Sequence, residues 1–134
     1  MSDPQIQDLL VACRESLERA YAPYSKFPVG AALRAADGRV FLGVNVENSS
    51  FGLTMCAERV ALGAAIAAGI REFTHIAITC GKGHFLTPCG ACRQVMAEFS
   101  PGLKILVLEG SGKTSELSLA ELLPHAFSKA DLGA

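Results

Sequence analysis

The sequence predicts an α/β fold: one domain spanning residues 1–134, in three α/β/α layers, around a mixed five-stranded sheet. Three observations point there. Two β-like segments meet at Asp37-Gly38, a hairpin turn signal that supplies an antiparallel pair. The second half of the chain alternates strand-like and helix-like segments, which implies right-handed crossovers and parallel pairing. Half of the residues are apolar and 19% are charged, enough for one sizeable core in a chain of 134 residues.

Each element has its own signal. Ile6, Leu9, Leu10, Cys13, Leu17 and Tyr21 recur every three or four residues, so Pro4 to Tyr21 reads as a helix. Ala22-Pro23-Tyr24-Ser25 ends it. Val29 to Ala35 and Arg39 to Val46 read as the hairpin strands. Cys56 to Ala68 is a helix apolar nearly all round, ended by Gly69, and such a helix is buried on most sides. Thr74 to Cys80 is a strand. Cys89 to Phe99 is a helix behind Pro88, and Leu103 to Leu108 is a buried strand. Ser118 to Leu123 is a short helix stopped by Pro124. The fifth strand, near Ser115 to Leu117, has the weakest signal.

Composition excludes several classes of function. Twelve Lys and Arg against 13 Asp and Glu give a net charge of −1, with no basic run, so a nucleic-acid partner is not expected. No apolar run reaches the ~18 residues of a membrane span. Met1-Ser2-Asp3-Pro4 lacks a basic stretch followed by an apolar one, so a cytoplasmic protein is expected. Its five cysteines are an odd count, which suits reduced thiols better than a disulfide framework. Two glycine motifs fail as nucleotide loops. After Gly81-Lys82-Gly83 the third glycine position is Leu86, and five residues before Gly112-Lys113-Thr114 stands Val107 where a phosphate loop needs glycine. Both read as polar turns.

The chemistry lies in Cys56-Ala57-Glu58 and Pro88-Cys89-Gly90-Ala91-Cys92. Cysteines at i and i+3 in a first helical turn lie about 300° apart around the axis, nearly one face, and can grip one ion. Cys56, also at a helix start, would be a third ligand. Three protein ligands leave a tetrahedral zinc one open position, the catalytic pattern. Three thiolates on Zn²⁺ carry a net −1, which would raise the pKa of a bound water. Two helix N-termini offset that charge, and Arg59 is spaced to hydrogen-bond a ligand sulfur, though an arginine there equally suits a surface ion pair. Glu58 could move a proton beside the metal only if Cys56 sits at the cap, because i and i+2 diverge on a regular helix. Its other reading is simple stabilisation of the first helical turn.

Cys-Ala-Glu with Pro-Cys-x-x-Cys is the zinc-deaminase signature. Taken with Tyr24 to Ala32, Gly43 to Asn48 and Pro88 to Gln94, the chain closely resembles cytidine deaminases of the short, homotetrameric kind, from about Leu10 to Phe127. The resemblance implies one zinc per chain on Cys56, Cys89 and Cys92, and hydrolysis of cytidine and deoxycytidine to the uridines in pyrimidine salvage. Zinc hydroxide would attack C4, and Glu58 would shuttle protons. It implies substrate contacts from Phe27 on the base, Asn45 and Glu47 on the ribose, and Ala57. Phe127 would reach a neighbouring subunit's site in a homotetramer. Asn45 and Glu47, at i and i+2 on a strand, share one face. Ser49 and Phe51 depart from the family's usual Ala and Tyr. Cys13 and Cys80 match no ligand and read as core residues.

Other readings stand beside this one. Cys80 could close a structural four-thiolate zinc site, leaving Glu58 idle. Cys89-Gly90-Ala91-Cys92 could serve thiol redox chemistry. A relative acting on another aminopyrimidine, such as blasticidin S, shares the cysteine motifs.

Overall fold

The computed structural model describes residues 3–133. Met1, Ser2 and Ala134, the ends of the expected 1–134 domain, lie outside the described residues. Helix α1 (Pro4–Ser16) is capped by Asp3, whose side chain accepts from Gln5 N at 2.8 Å, with Pro4 in the first position, where a missing N–H costs nothing. It stops short of Tyr21 because that residue leaves the helix to bridge Val46: Tyr21 N donates to Asn45 O at 3.0 Å and Glu47 N to Tyr21 O at 2.9 Å.

Strands β1 (Val29–Ala35) and β2 (Val40–Val44) form the expected hairpin, with Gly38 at φ +97° in its turn. Helix α2 (Ala57–Ala67) ends at Gly69, φ +88°. Then follow β3 (Phe73–Cys80), α3 (Gly90–Phe99), β4 (Lys104–Leu108), β5 (Thr114–Ser118) and α4 (Leu119–Leu122), the last capped by Ser118 and Glu121.

The sheet order is β2-β1-β3-β4-β5. Parallel pairing occurs between β3 and β4, with α3 as the crossover, but β4 and β5 pair antiparallel. That corrects the expectation of parallel pairing throughout the second half. The stretch Glu109 to Lys113 is too short for a crossover and closes a hairpin instead, Glu109 N donating to Lys113 O at 2.9 Å.

The strands alternate between two cores. Ala31, Leu33, Ile76, Ile78, Ile105 and Val107 face α2 and α3. Ala32, Ala77, Leu106 and Leu108 face α1 through Leu9, Leu10 and Cys13. Three layers result, as the period-2 alternation requires. Two glycines let the helices lie close on the sheet. A Cβ at Gly30 would stand 2.2 Å from Ser16 Oγ of α1, and one at Gly43 would stand 2.1 Å from Ala57 O and 2.5 Å from Ala61 N of α2. Gly43 therefore sets where α2 begins. Contrary to the all-round burial expected of α2, Gly63, Ala64, Ala67 and Ala68 are exposed, since only the Ala57, Ala61, Ala65 side meets the sheet.

Candidate metal centre

The N-termini of α2 and α3 converge. Cys56 is the N-cap of α2, with extended backbone (φ −72°, ψ 149°), and Cys89 is the N-cap of α3 (φ −65°, ψ 164°). Both predicted helices included these cysteines, and both in fact begin one residue later. The cap position lets Cys56 and Glu58 turn toward one place, as their spacing required. The Sγ atoms of Cys56, Cys89 and Cys92 all lie within 4.8 Å of one another. Cys56 and Cys89 are 3.9 Å apart, and Cys89 and Cys92 3.4 Å.

A tetrahedral ion with zinc–sulfur bonds of about 2.3 Å spaces its sulfurs about 3.8 Å apart, so these three thiols fit zinc. Neither cysteine side chain caps its helix through a hydrogen bond, which leaves first-turn N–H groups to favour anionic sulfur. Cys80 is not in the cluster: it is buried, and its thiol donates to His84 O at 3.7 Å. Cys13 is buried in the other core, donating to Gly30 O at 3.5 Å. Both behave as the core residues expected of them.

The groups around the cluster act on its thiols in both directions. Arg59 Nη2 lies 3.9 Å from Cys56 Sγ and donates to Thr54 O at 3.4 Å, and the sulfur contact raises its pKa. Its Nε is buried without a partner among the described residues. Burial works against a thiolate at Cys89, yet hydrogen bonds from the Cys92 backbone and from the Cys92 and Cys56 side chains hold its pKa below the ordinary value. Burial raises Cys56, and burial with the Glu58 charge raises Cys92. Glu58 is 5% exposed, and burial holds its carboxyl above the ordinary range.

The cluster opens into a cavity of about 190 Å³ whose walls include Phe27, Asn45, Ala57, Glu58, Leu86 and Thr87. Asn45 braces the Phe27 segment: its Oδ1 accepts from Val29 N at 2.9 Å and its Nδ2 donates to Phe27 O at 2.8 Å. Glu47 does not line this cavity. It sits in an adjoining cleft of about 300 Å³ with Tyr24, Ser25 and Phe51, and Thr54 borders both spaces. Glu47 Oε1 accepts from Tyr24 N at 3.0 Å and Ser25 N at 3.1 Å, while Oε2 accepts from Ser25 Oγ. The Ser25 side chain, and then these backbone donors, lower its pKa. Phe127 is 60% exposed and lines no part of its own chain's cavity. Phe51 is 73% exposed and its ring stands 5.8 Å from Tyr24.

Sequence reasoning assigned no role to Arg93 and Gln94, although both belong to the Pro88–Gln94 stretch. Arg93 donates to Pro88 O at 2.7 Å, Leu122 O at 2.8 Å and Thr87 Oγ1 at 3.1 Å, tying α4 to the cavity loop. Gln94 donates to Phe127 O at 2.8 Å. Arg93, whose fork of donors can meet several acceptors at once, was the signal available.

The family model for the cytidine and deoxycytidylate deaminase zinc-binding region matches residues 3–108. The chain is 45% identical over 128 residues to a cytidine deaminase of Sporosarcina psychrophila, covering 95% of this chain and 94% of that protein. To a probable cytidine deaminase of Dictyostelium discoideum it is 41% identical over 133 residues, 98% of this chain and 90% of the other. Its fold is similar to the crystal structure of cytidine deaminase from Burkholderia pseudomallei, with a TM-score of 0.87 and 48% identity over 95% of this chain and all of that one.

Proposed function

The chain belongs to the cytidine and deoxycytidylate deaminase family, and from that premise we infer that it hydrolyses cytidine and 2′-deoxycytidine to the uridines with release of ammonia, in pyrimidine salvage. It is a zinc-dependent enzyme, with Cys56, Cys89 and Cys92 as the proposed ligands of one ion per chain. The observation that carries the reading is the three-thiol cluster at two helix starts with the buried carboxyl of Glu58 beside it. The other readings of the cysteines explain less. A structural four-thiolate site lacks its fourth sulfur among the described residues. A redox pair has no use for Cys56 at 3.9 Å. The relatives reported above are named for cytidine and not for blasticidin S.

Cys56, Cys89 and Cys92 would hold the zinc, which when bound would supply the Lewis acidity that readies a water for attack on C4 of the base. Every other task falls to the chain. Glu58 would take the proton that the water gives up and pass it to N3, then move the proton of the new C4 hydroxyl to the amino group, so that the C4–N bond breaks and ammonia leaves. A carboxyl held above its ordinary pKa by burial is suited to carry a proton both ways. Arg59 and the two helix starts offset the single negative charge left on the ligand set.

Phe27 and Ala57 form the wall against the base. Asn45, in the cavity, keeps one acceptor lone pair and one N–H beyond its two backbone bonds, and Glu47, in the adjoining cleft, keeps about one of its four acceptor sites; together these suit ribose hydroxyls lying between the two spaces.

Phe127 is exposed and its carbonyl accepts from Gln94, which leaves the ring free to meet a second copy, and the exposed face of α2 adds an apolar surface for one. These features support a homotetramer with shared sites. No described helix is long and apolar enough to cross a membrane. A ligand set that must stay reduced suits the cytoplasm.

Glu58→Gln tests the reading. The variant should keep its zinc and lose kcat by on the order of 10²–10⁴. Full turnover in a zinc-loaded variant would remove Glu58 from the mechanism.

A further inference from the structure

The two glycine turns that fail as nucleotide loops meet in the fold. Gly110 N donates to Gly83 O at 2.9 Å, and a Cβ on Gly110 would stand 3.1 Å from Gly83 Cα. Gly83 itself has φ +74°. Two residues earlier, Gly81 N donates to Pro28 O at 2.8 Å, and a Cβ there would stand 2.5 Å from Pro28 Cγ. The loop leaving β3 is thus fastened on one side to the β4–β5 turn and on the other to the residue after Phe27.

Between these fastenings and the cavity wall stands His84. Its carbonyl accepts from Cys80 Sγ at 3.7 Å, and its ring lies 5.5 Å from the Phe27 ring, centroid to centroid, tilted by 49°. That is an aromatic pair within the usual range of separations. Phe27 needs such a partner. Its backbone is held by Ser25 Oγ on the N–H, at 3.0 Å, and by Asn45 on the carbonyl, at 2.8 Å. Neither bond fixes the half-buried ring. A ring free to change rotamer would have to be ordered each time a base binds, and that ordering weakens binding.

The geometry points to His84 as a positioning residue for the proposed reaction: it holds the Phe27 ring in place to receive the pyrimidine, and the Gly83–Gly110 contact holds His84 against Phe27. His84 is exposed and touches no thiol ligand among its described contacts, so it acts on binding rather than on proton transfer. The inference rests on the deaminase reading of the cavity.

The test measures kcat and KM for cytidine, with uridine affinity by calorimetry, on zinc-loaded protein. His84→Ala should raise KM and weaken uridine about three- to tenfold, leaving kcat within about twofold and zinc content unchanged. His84→Phe should restore both affinities. In a Phe27→Ala background, His84→Ala should have no further effect, because His84 works through that ring. Unchanged KM and uridine affinity in His84→Ala, a loss confined to kcat, or an equal loss without Phe27 would each overturn the inference. An inactive zinc-loaded parent would overturn the deaminase reading as well. An active parent indifferent to His84→Ala overturns this inference alone.

Discussion

Three thiolates around a divalent ion leave one negative charge, and the residues next to the cluster answer it. Arg59 stands 3.9 Å from the Cys56 sulfur, and Cys89 already has a lowered pKa before any metal adds its charge. Cys89→Ser should lose zinc and, with it, stability on the order of 10 kcal/mol, read by metal content and thermal melting. A stable, metal-replete variant would contradict the ligand assignment. Cys13 behaves oppositely. Burial pushes its thiol from an ordinary value of 9.0 up to about 12. Between those values the unfolded chain gives up this proton and the folded chain keeps it, so stability falls as pH rises through the window. Melting followed from pH 8.5 to 10 should show a shallower alkaline decline in Cys13→Ala than in the parent; parallel declines would contradict it. Cys56-Ala57-Glu58 and the Cys89, Cys92 pair are each legible in the sequence because their spacing is local, but only the family resemblance joins the two, since Cys56 and Cys89 lie far apart in the chain. What Asn45 and Glu47 bond to is not legible, because Phe27, Val29 and Ser25 reach them only through the hairpin and the Tyr21–Val46 bridge.

At the scale of elements, the site depends on where two helices start. Local pattern locates α2 and α3 to within a residue or two, and it finds the Asp37-Gly38 hairpin outright. It cannot see that Cys56 and Cys89 stand just outside the helices they precede, because cap geometry is a backbone choice that the apolar period does not encode. The β4–β5 hairpin is hidden for another reason: Thr114–Ser118 is a short edge strand with little apolar content, so only its pairing with β4 reveals it. Gly43 carries the metal site from the sheet side. Gly43→Ala would place a methyl 2.1 Å from Ala57 O, which forces α2 away from β2. The substitution should cost about 1–3 kcal/mol and weaken zinc retention. Unaltered melting and zinc affinity would show that α2 is positioned by something else.

At the scale of the whole molecule, the proposed tetramer rests on exposed apolar side chains. Tyr21, Phe51, Leu53, Met55 and Phe127 are all more than 40% exposed. Light scattering should give about four times the chain mass of 14.1 kDa, and a monomer would remove the shared-site proposal. Phe127→Ala should lower kcat/KM and leave zinc content alone; normal kinetics would separate Phe127 from any neighbour's site. The proposed reaction needs only a zinc on three thiolates and Glu58 in this cavity to remove the amino group of cytidine. Its most direct test is the ultraviolet absorbance of cytidine after addition of the purified, zinc-loaded protein. The absorbance should fall to the uridine spectrum, stop falling when a chelator strips the metal and resume when zinc is restored. An unchanged cytidine spectrum with zinc-replete protein would contradict it.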